Sequence, residues 1–287
     1  MIVEKQLDTL DNKVVKVNKK PTPKSDNPNL THMFFSSLFV GAKNSGKTYG
    51  LVKMLKNYET SPIRDNEGNK LPIREILICP TANSDANPIY KSLKNLDEDD
   101  IILSYSEAAL HEKLASIEKD KQDIIDYNAY VKAWKKFAIN EDMSVLTPEE
   151  PIILSKYDFS PLQYVPKPRY KFPPVVFLIL DDLIGDNTVF KRGNCLVANL
   201  TIKHRHLGIN LIFTTQNPKS INNIIRNNID IWVLYKFSNA SMVLEKIYPE
   251  VSSFLTEQEF EEAYLHAVRE PHNALIVDTH PQTDRDK

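Results

Sequence analysis

The sequence predicts a three-layer α/β domain around a mostly parallel sheet. Three observations predict it. Short continuous apolar runs alternate with stretches of helical periodicity, the pattern of strands buried on both faces. One run, Phe34 to Val40, leads directly into Gly41-Ala42-Lys43-Asn44-Ser45-Gly46-Lys47-Thr48, which satisfies G-x-x-x-x-G-K-[ST]. Another, Val175 to Leu180, ends in Asp181-Asp182. Only 7 of the 287 residues are glycine, and Gly41, Gly46 and Gly50 fall within one short stretch, so the motif does not arise from a glycine-rich background. The fold expected is therefore that of a P-loop NTPase.

The elements follow in order. Residues 1–32 are polar, lack a periodic apolar face and carry a lysine-rich stretch from Lys13 to Lys24. They read as a flexible N-terminal arm ahead of an ATPase domain over 33–287. After the strand and the glycine loop, Leu51, Val52 and Leu55 recur at helical spacing in Thr48 to Tyr58. Arg74 to Pro80 reads as a buried strand ended by proline. Ser104-Tyr105-Ser106-Glu107 has the form of a capping box, ahead of a helix running to about Phe137. Residues 138–174 are rich in proline and without period, which marks an insertion. Val175 to Leu180 is the acid-ended strand. A helix over Leu196 to His206, a strand over Ile209 to Thr215, a helical turn near Ile221 to Asn227 and a strand over Ile231 to Phe237 come next. The capping box Thr256 to Glu259 then opens a helix, and Ala274 to Asp278 closes the series as a strand.

Composition excludes several classes. With 41% hydrophobic and 26% charged residues the chain is an ordinary globular one. Lys+Arg 36 against Asp+Glu 38 gives a net charge of -2, so no overall field draws it to nucleic acid or an anionic membrane, and any such contact needs a local patch. Cys79 and Cys195 form no CxxC and no disulfide framework, which points to a reducing compartment. The opening MIVEKQLDTLDNK lacks the apolar core of a secretory signal, and no apolar run reaches the ~18 residues of a membrane span. The expectation is a cytosolic protein.

The glycine loop carries the chemistry. Backbone N–H groups of residues 42–48 and the positive end of the following helix would surround the β- and γ-phosphates of ATP, with Lys47 as a point charge and the Thr48 hydroxyl on Mg²⁺. Asp181 is expected to hold the Mg²⁺ shell and Asp182 to polarise the attacking water. Gln216, at the end of the strand Leu211-Ile-Phe-Thr-Thr-Gln216, is placed to sense the γ-phosphate or orient water, because open α/β sheets bind ligands at the carboxyl ends of their strands. Arg205 and Arg226 each precede a strand and are candidates for a phosphate in their own site or a neighbour's, and Arg205, preceding the strand that ends at Gln216, is expected near the sheet's ligand-facing end. His204 and His206 have no metal-ligand partners at useful spacing and read as satisfied or solvated histidines.

Taken in order, FVGAKNSGKT, ILICPTANSD, FLILDDLIGD, KHRHLGINLIFTTQ and IIRNNIDIWVLYKFS resemble the DNA-packaging ATPases of poxviruses and other large cytoplasmic DNA viruses, virophages and related elements, a branch of the FtsK/HerA superfamily. The likeness covers about residues 34–240, leaves out 138–174 and is loose after 240. It implies a RecA-like core in which Gln216 is the strand-end sensor and Arg205 the trans-acting arginine finger of a homo-oligomeric ring. Such rings pump double-stranded DNA into a preformed capsid, so the resemblance also implies a capsid or portal-like vertex as partner and the host cytoplasm, at the viral factory, and the virion as places of work. Two other readings compete. A nucleoside or nucleotide kinase shares the loop but usually has an arginine-rich lid, and the 8 arginines here form no such cluster. A non-hydrolysing nucleotide-binding assembly protein would not need the Asp181-Asp182 pair.

Overall fold

A computed structural model describes residues 22–82, 88–140, 142–183, 195–237, 239, 241–252 and 256–279. In chain order the described strands are β1 (Lys24–Ser25), β2 (Ser36–Val40), β3 (Ile63–Arg64), β4 (Lys70–Leu71), β5 (Ile73–Ile78), β6 (Leu96–Ile102), β7 (Val175–Leu180), β8 (Ile209–Thr215), β9 (Ile231–Tyr235) and β10 (Ala274–Asp278). The described helices are α1 (Lys47–Thr60), α2 (Glu107–Asn140), α3 (Glu150–Ser155), α4 (Leu196–Leu207), α5 (Asn223–Arg226), α6 (Ser241–Lys246), α7 (Tyr248–Val251) and α8 (Glu257–Ala267).

Seven strands form the main sheet in the order β10-β9-β2-β8-β7-β5-β6. Every neighbouring pair is parallel except β10 on β9, which is antiparallel and closes one edge. The mostly parallel three-layer α/β fold of a P-loop NTPase is thus the fold the chain adopts. β2, β7 and β8 are buried along their whole length, as their unbroken apolar runs require. Alternate residues supply the two faces. Phe39, Phe177 and Ile212 pack with Leu51, Leu55 and Tyr58 of α1, while Leu38, Leu178 and Phe213 pack with Leu110 of α2, Val197 of α4 and Phe260 of α8.

Register brings the strand ends level. Val40 pairs with Thr215 and with Leu234, Leu180 with Phe213, and Ile78 with Leu180. The segments after β2, β5, β7, β8 and β9 therefore emerge at one carboxyl edge. Because β8 lies between β2 and β7, its last residues stand between the glycine loop and the paired acids.

Three features depart from what the pattern predicts. β6 was not expected as a strand; Asp97, Glu98 and Asp99 are exposed on it, so an edge strand with one covered side replaces the apolar run that marks an inner strand. The cap of α2 is Ser106, whose Oγ accepts from Ala109 N at 3.0 Å, so a one-way cap two residues later replaces the box expected over Ser104 to Glu107. The box at Thr256, by contrast, is formed in both directions with Glu259. Third, α2 runs on to Asn140, and residues beyond 142 fold back against it: Tyr130, Ala133, Leu154 and Val165 build a separate small core. Of the segment read as an arm, residues 1–21 lie outside the described residues. β1 within 22–32 pairs with β3, and Thr31 and Tyr58 share a hydroxyl hydrogen bond of 2.6 Å.

Glu75 is the anomaly of the core. It is fully buried on the α1-facing side of β5, and neither carboxylate oxygen has a hydrogen-bond partner among the described residues. Burial, reinforced by Glu59, pushes its carboxyl up to about 8, so it is protonated at neutral pH. The folded chain then binds a proton that the unfolded chain has already released above about pH 4.5. Stability should fall as pH rises from there toward 8. Glu75→Gln removes this dependence. Urea unfolding of both chains at pH 5 and pH 8 is expected to show the wild type losing ground to Glu75→Gln at the higher pH; an unchanged difference between the two would contradict the protonated state.

Candidate nucleotide site

The glycine loop leaves β2 and turns into α1 through backbone that side chains resist. Asn44 has φ 61° and Gly46 φ 100°, both left-handed. No side chain caps α1 and no acidic residue lies in its first turn. Its first amides, with the positive end of the helix dipole, are left to an anion. Lys47 Nζ reaches back over the loop, donating to the carbonyls of Gly41 at 2.9 Å and Ala42 at 2.8 Å. Burial pulls its ammonium below the ordinary range, against the opposing pull of Asp181 and Asp182. Ser45 Oγ is buried without a hydrogen-bond partner among the described residues. The segment thus has the donors and charge that a polyphosphate takes, and ATP fits it.

Asp181 and Asp182 stand beside this loop in two different environments. Asp181 is 1% exposed. Its Oδ1 accepts from Thr214 Oγ1, and its Oδ2 accepts from Tyr90 Oη and from Thr48 Oγ1, the last at 3.4 Å. Cys79 Sγ lies 3.8 Å from the same Oδ2. Asp182 is exposed and left-handed, φ 54°, with its backbone N–H held by Thr214 Oγ1 at 3.0 Å. Partial burial, with Asp181 adding to it, raises the Asp182 carboxyl above the usual carboxylate range, and Lys47 and Lys43 oppose the rise. A carboxylate raised in this way is suited to take up a proton.

Among the described residues no three His, Cys, Asp or Glu side chains converge as a self-sufficient metal cage. Thr48 and Asp181 offer one hydroxyl and one carboxylate, hard oxygen ligands of the kind Mg²⁺ takes when phosphates and waters fill the rest of its shell. Gln216 follows Thr215, whose register partner is Val40, so it emerges at the loop's side of the carboxyl edge and is exposed. Lys47, Thr48, Asp181, Asp182 and Gln216 are thus brought to one edge.

The two arginines are elsewhere. Arg205 ends α4 and its guanidinium pairs with Asp230, which precedes β9 and also accepts from Ser36 N at 3.0 Å. That is the amino edge of the sheet. The expectation that Arg205 lies at the ligand-facing end fails for a simple reason: a segment preceding a parallel strand enters at the strand's amino end, whereas ligands sit at the carboxyl ends. Arg226 is held by Glu250 at 2.9 Å and by the Ile221 carbonyl and Asn223, away from the loop. His204 is buried with a ring nitrogen 2.9 Å from Ile209 O, and His206 is exposed.

Sequence reasoning missed Tyr90, Thr214 and His272. Thr214 had a signal in strand parity, because it lies on the α1-facing side of β8 one residue before the strand's end. Tyr90 and His272 had none; a 3₁₀ turn over Pro88–Ser92 carries the first, and the turn before β10 carries the second. A Cβ at Gly46 would stand 3.1 Å from His272 Cβ and Nδ1, so the histidine lies directly against the loop.

No family model matches the sequence, and no curated protein does. Among solved structures the chain is similar to ATPases 2 and 3 of EssC from Geobacillus thermodenitrificans, at 12% identity over 85% of this chain and 38% of that one, TM-score 0.46. It is similar to the genome packaging NTPase B204 of Sulfolobus turreted icosahedral virus 2 in complex with ATP-gammaS, at 15% identity over 87% of this chain and 95% of that one, TM-score 0.42. It is also similar to the cytoplasmic domain of the Type VII secretion ATPase EccC of Thermomonospora curvata, at 14% identity over 86% of this chain and 24% of that one, TM-score 0.39. The strand order and the glycine loop of this chain themselves define its fold.

Gly50 tests the packing under the loop. A Cβ there would fall 1.7 Å from the hydroxyl of the buried Tyr235. Gly50→Ala should gain about 1 kcal/mol of helix propensity and lose more, roughly 1–3 kcal/mol, to overpacking. Thermal unfolding is expected to show net destabilisation, partly recovered when Tyr235→Phe is added. A Gly50→Ala chain more stable than wild type would exclude this contact.

Proposed function

We propose that the chain is an ATP-hydrolysing motor of the FtsK/HerA type that works as a homo-oligomeric ring and drives double-stranded DNA into a viral capsid. The observation that carries the hydrolytic part is the placement of Thr48 Oγ1 3.4 Å from Asp181 Oδ2, with Lys47 over the loop and Asp182 beside it. The motif order from the glycine loop to Gln216 supports the packaging part. Mg²⁺, when bound, supplies charge neutralisation on the phosphates. Lys47 and the α1 amides hold the phosphates, Asp182 takes the proton of the attacking water, and Gln216 orients that water. The water oxygen bonds to the γ-phosphorus as the bond to the bridging oxygen breaks. The DNA, a capsid or portal-like vertex and a place of work in the host cytoplasm belong to this reading.

ATPase assays with and without double-stranded DNA test it. Turnover should require divalent cation and rise with DNA; a phosphoryl transfer to a nucleoside acceptor instead would favour the kinase reading. Lys47→Ala should lose nucleotide binding. Asp182→Asn should bind and fail to turn over, and wild-type turnover in Asp182→Asn would remove the role given to this carboxylate.

Arg205 is proposed as the finger acting on ATP held by the adjacent subunit, because from the amino edge it has no reach to its own loop. Its side chain is 48% exposed, against 14% for Arg226. A trans arginine contributes on the order of 10³ to 10⁵ in turnover. Arg205→Ala should bind ATP and lose turnover to about that extent, and rings mixed with Lys47→Ala subunits should recover part of it. Mixed rings that recover only with Arg226→Ala would transfer the role to Arg226.

A further inference from the structure

Asp181 Oδ2, the oxygen that faces Thr48, is held by a residue outside every motif. Tyr90 comes from the turn Pro88–Ser92, its ring is 2% exposed against the α1-facing core, and its hydroxyl meets Oδ2 directly. The other oxygen is occupied by Thr214, whose hydroxyl also takes the Asp182 N–H. A carboxylate oxygen has two lone pairs in its plane. Oδ2 accepts from the phenol, while Thr48 Oγ1 at 3.4 Å, longer than the 2.7–2.8 Å usual between oxygens, and Cys79 Sγ at 3.8 Å approach the same oxygen more loosely. Thr48 and Tyr90 are themselves neighbours.

We propose that Tyr90 is a positioning residue for the divalent cation: its phenol fixes Asp181 so that Oδ2 and the Thr48 hydroxyl face the same point. The inference rests on the nucleotide reading above. Partners that orient ligating carboxylates are worth roughly 10–100-fold in metal affinity. Tyr90 also lines a cavity of about 520 Å³ together with Lys91, Leu93, Leu96, Glu98 and Ile101.

The test uses the full chain, Mn²⁺ followed by EPR in the presence of ADP, and a fluorescent ADP analogue in EDTA. Tyr90→Phe keeps the ring and removes only the donor. It should bind the analogue in EDTA as the wild type does, and bind Mn²⁺ with ADP about 10–100-fold more weakly. A structural role alone would lower both affinities together or neither. Equal Mn²⁺ affinity in the two chains, or a matching loss of nucleotide affinity in EDTA, overturns the inference while leaving the nucleotide reading intact. A wild-type chain that binds no nucleotide overturns that reading, and this inference with it. Should Tyr90→Phe not fold, Tyr90→Met, an adaptable apolar side chain without a donor that adds no volume to this buried site, is expected to show the same Mn²⁺ loss; wild-type Mn²⁺ affinity there counts against the proposal.

Discussion

Asp181 is an acid 1% exposed to solvent, and taking an ionised group out of water costs several kcal/mol unless donors replace the water. The donors that do so come from separate segments: Thr214 from β8, Tyr90 from the turn after β5, and Thr48 from α1. Each must arrive at the same height. Their meeting is possible only because β5, β7 and β8 are in a register that levels Ile78, Leu180 and Phe213. A slip of β7 by one residue would turn Asp181 to the α2 side of the sheet, among apolar side chains and away from all three donors. The polar edge therefore constrains the apolar sheet as much as the sheet positions the edge.

The amino edge has its own polar clasp. Asn210 Oδ1 accepts from Phe34 N at 2.6 Å and Phe35 N at 3.3 Å, while its amide donates to Val176 O at 3.1 Å, tying β8 to the chain entering β2 and to β7. Asp230 does the same for β9 through Ser36. Between these clasps the three central strands are buried and mostly apolar, and the polar side chains at both ends add their own constraint on register.

How much of this the sequence discloses depends on distance along the chain. The glycine loop is contiguous, so its form and the roles of Lys47 and Thr48 are readable from eight residues. Asp181 is readable too, because it continues the α1-facing series Val175, Phe177 and Ile179, and an acid in that parity at a strand end must meet whatever follows the loop. β6 escapes notice because an exposed edge strand need not be apolar, and the α2 C-terminal half joins the 142–165 unit through a core that no local period announces. Tyr90 and His272 are invisible for a stronger reason: each sits on a local connection, between β5 and β6 and between α8 and β10, and meets residues far from it in sequence only once the sheet has formed. The arginine misplacement is different again, since the sequence held the answer and the direction of a parallel strand decides it.

Arg205 at the amino edge is separated from its own glycine loop by the length of β2, five residues or roughly 16 Å of strand. In a ring each copy presents one surface to one neighbour and a different surface to the other. An arginine remote from its own loop is then what such an interface requires, because a residue able to reach its own phosphates would not report on assembly. The cost of freeing it decides between the two arginines. Arg205 is half exposed and pairs with Oδ1 of the buried Asp230, which keeps the Ser36 N–H on Oδ2 when the guanidinium leaves. Arg226 would have to give up Glu250, the Ile221 carbonyl and Asn223 together from a site where it is 14% exposed, and the buried Ile221 carbonyl would be left without that donor. Under the ring reading, the arginine that moves at least cost is Arg205.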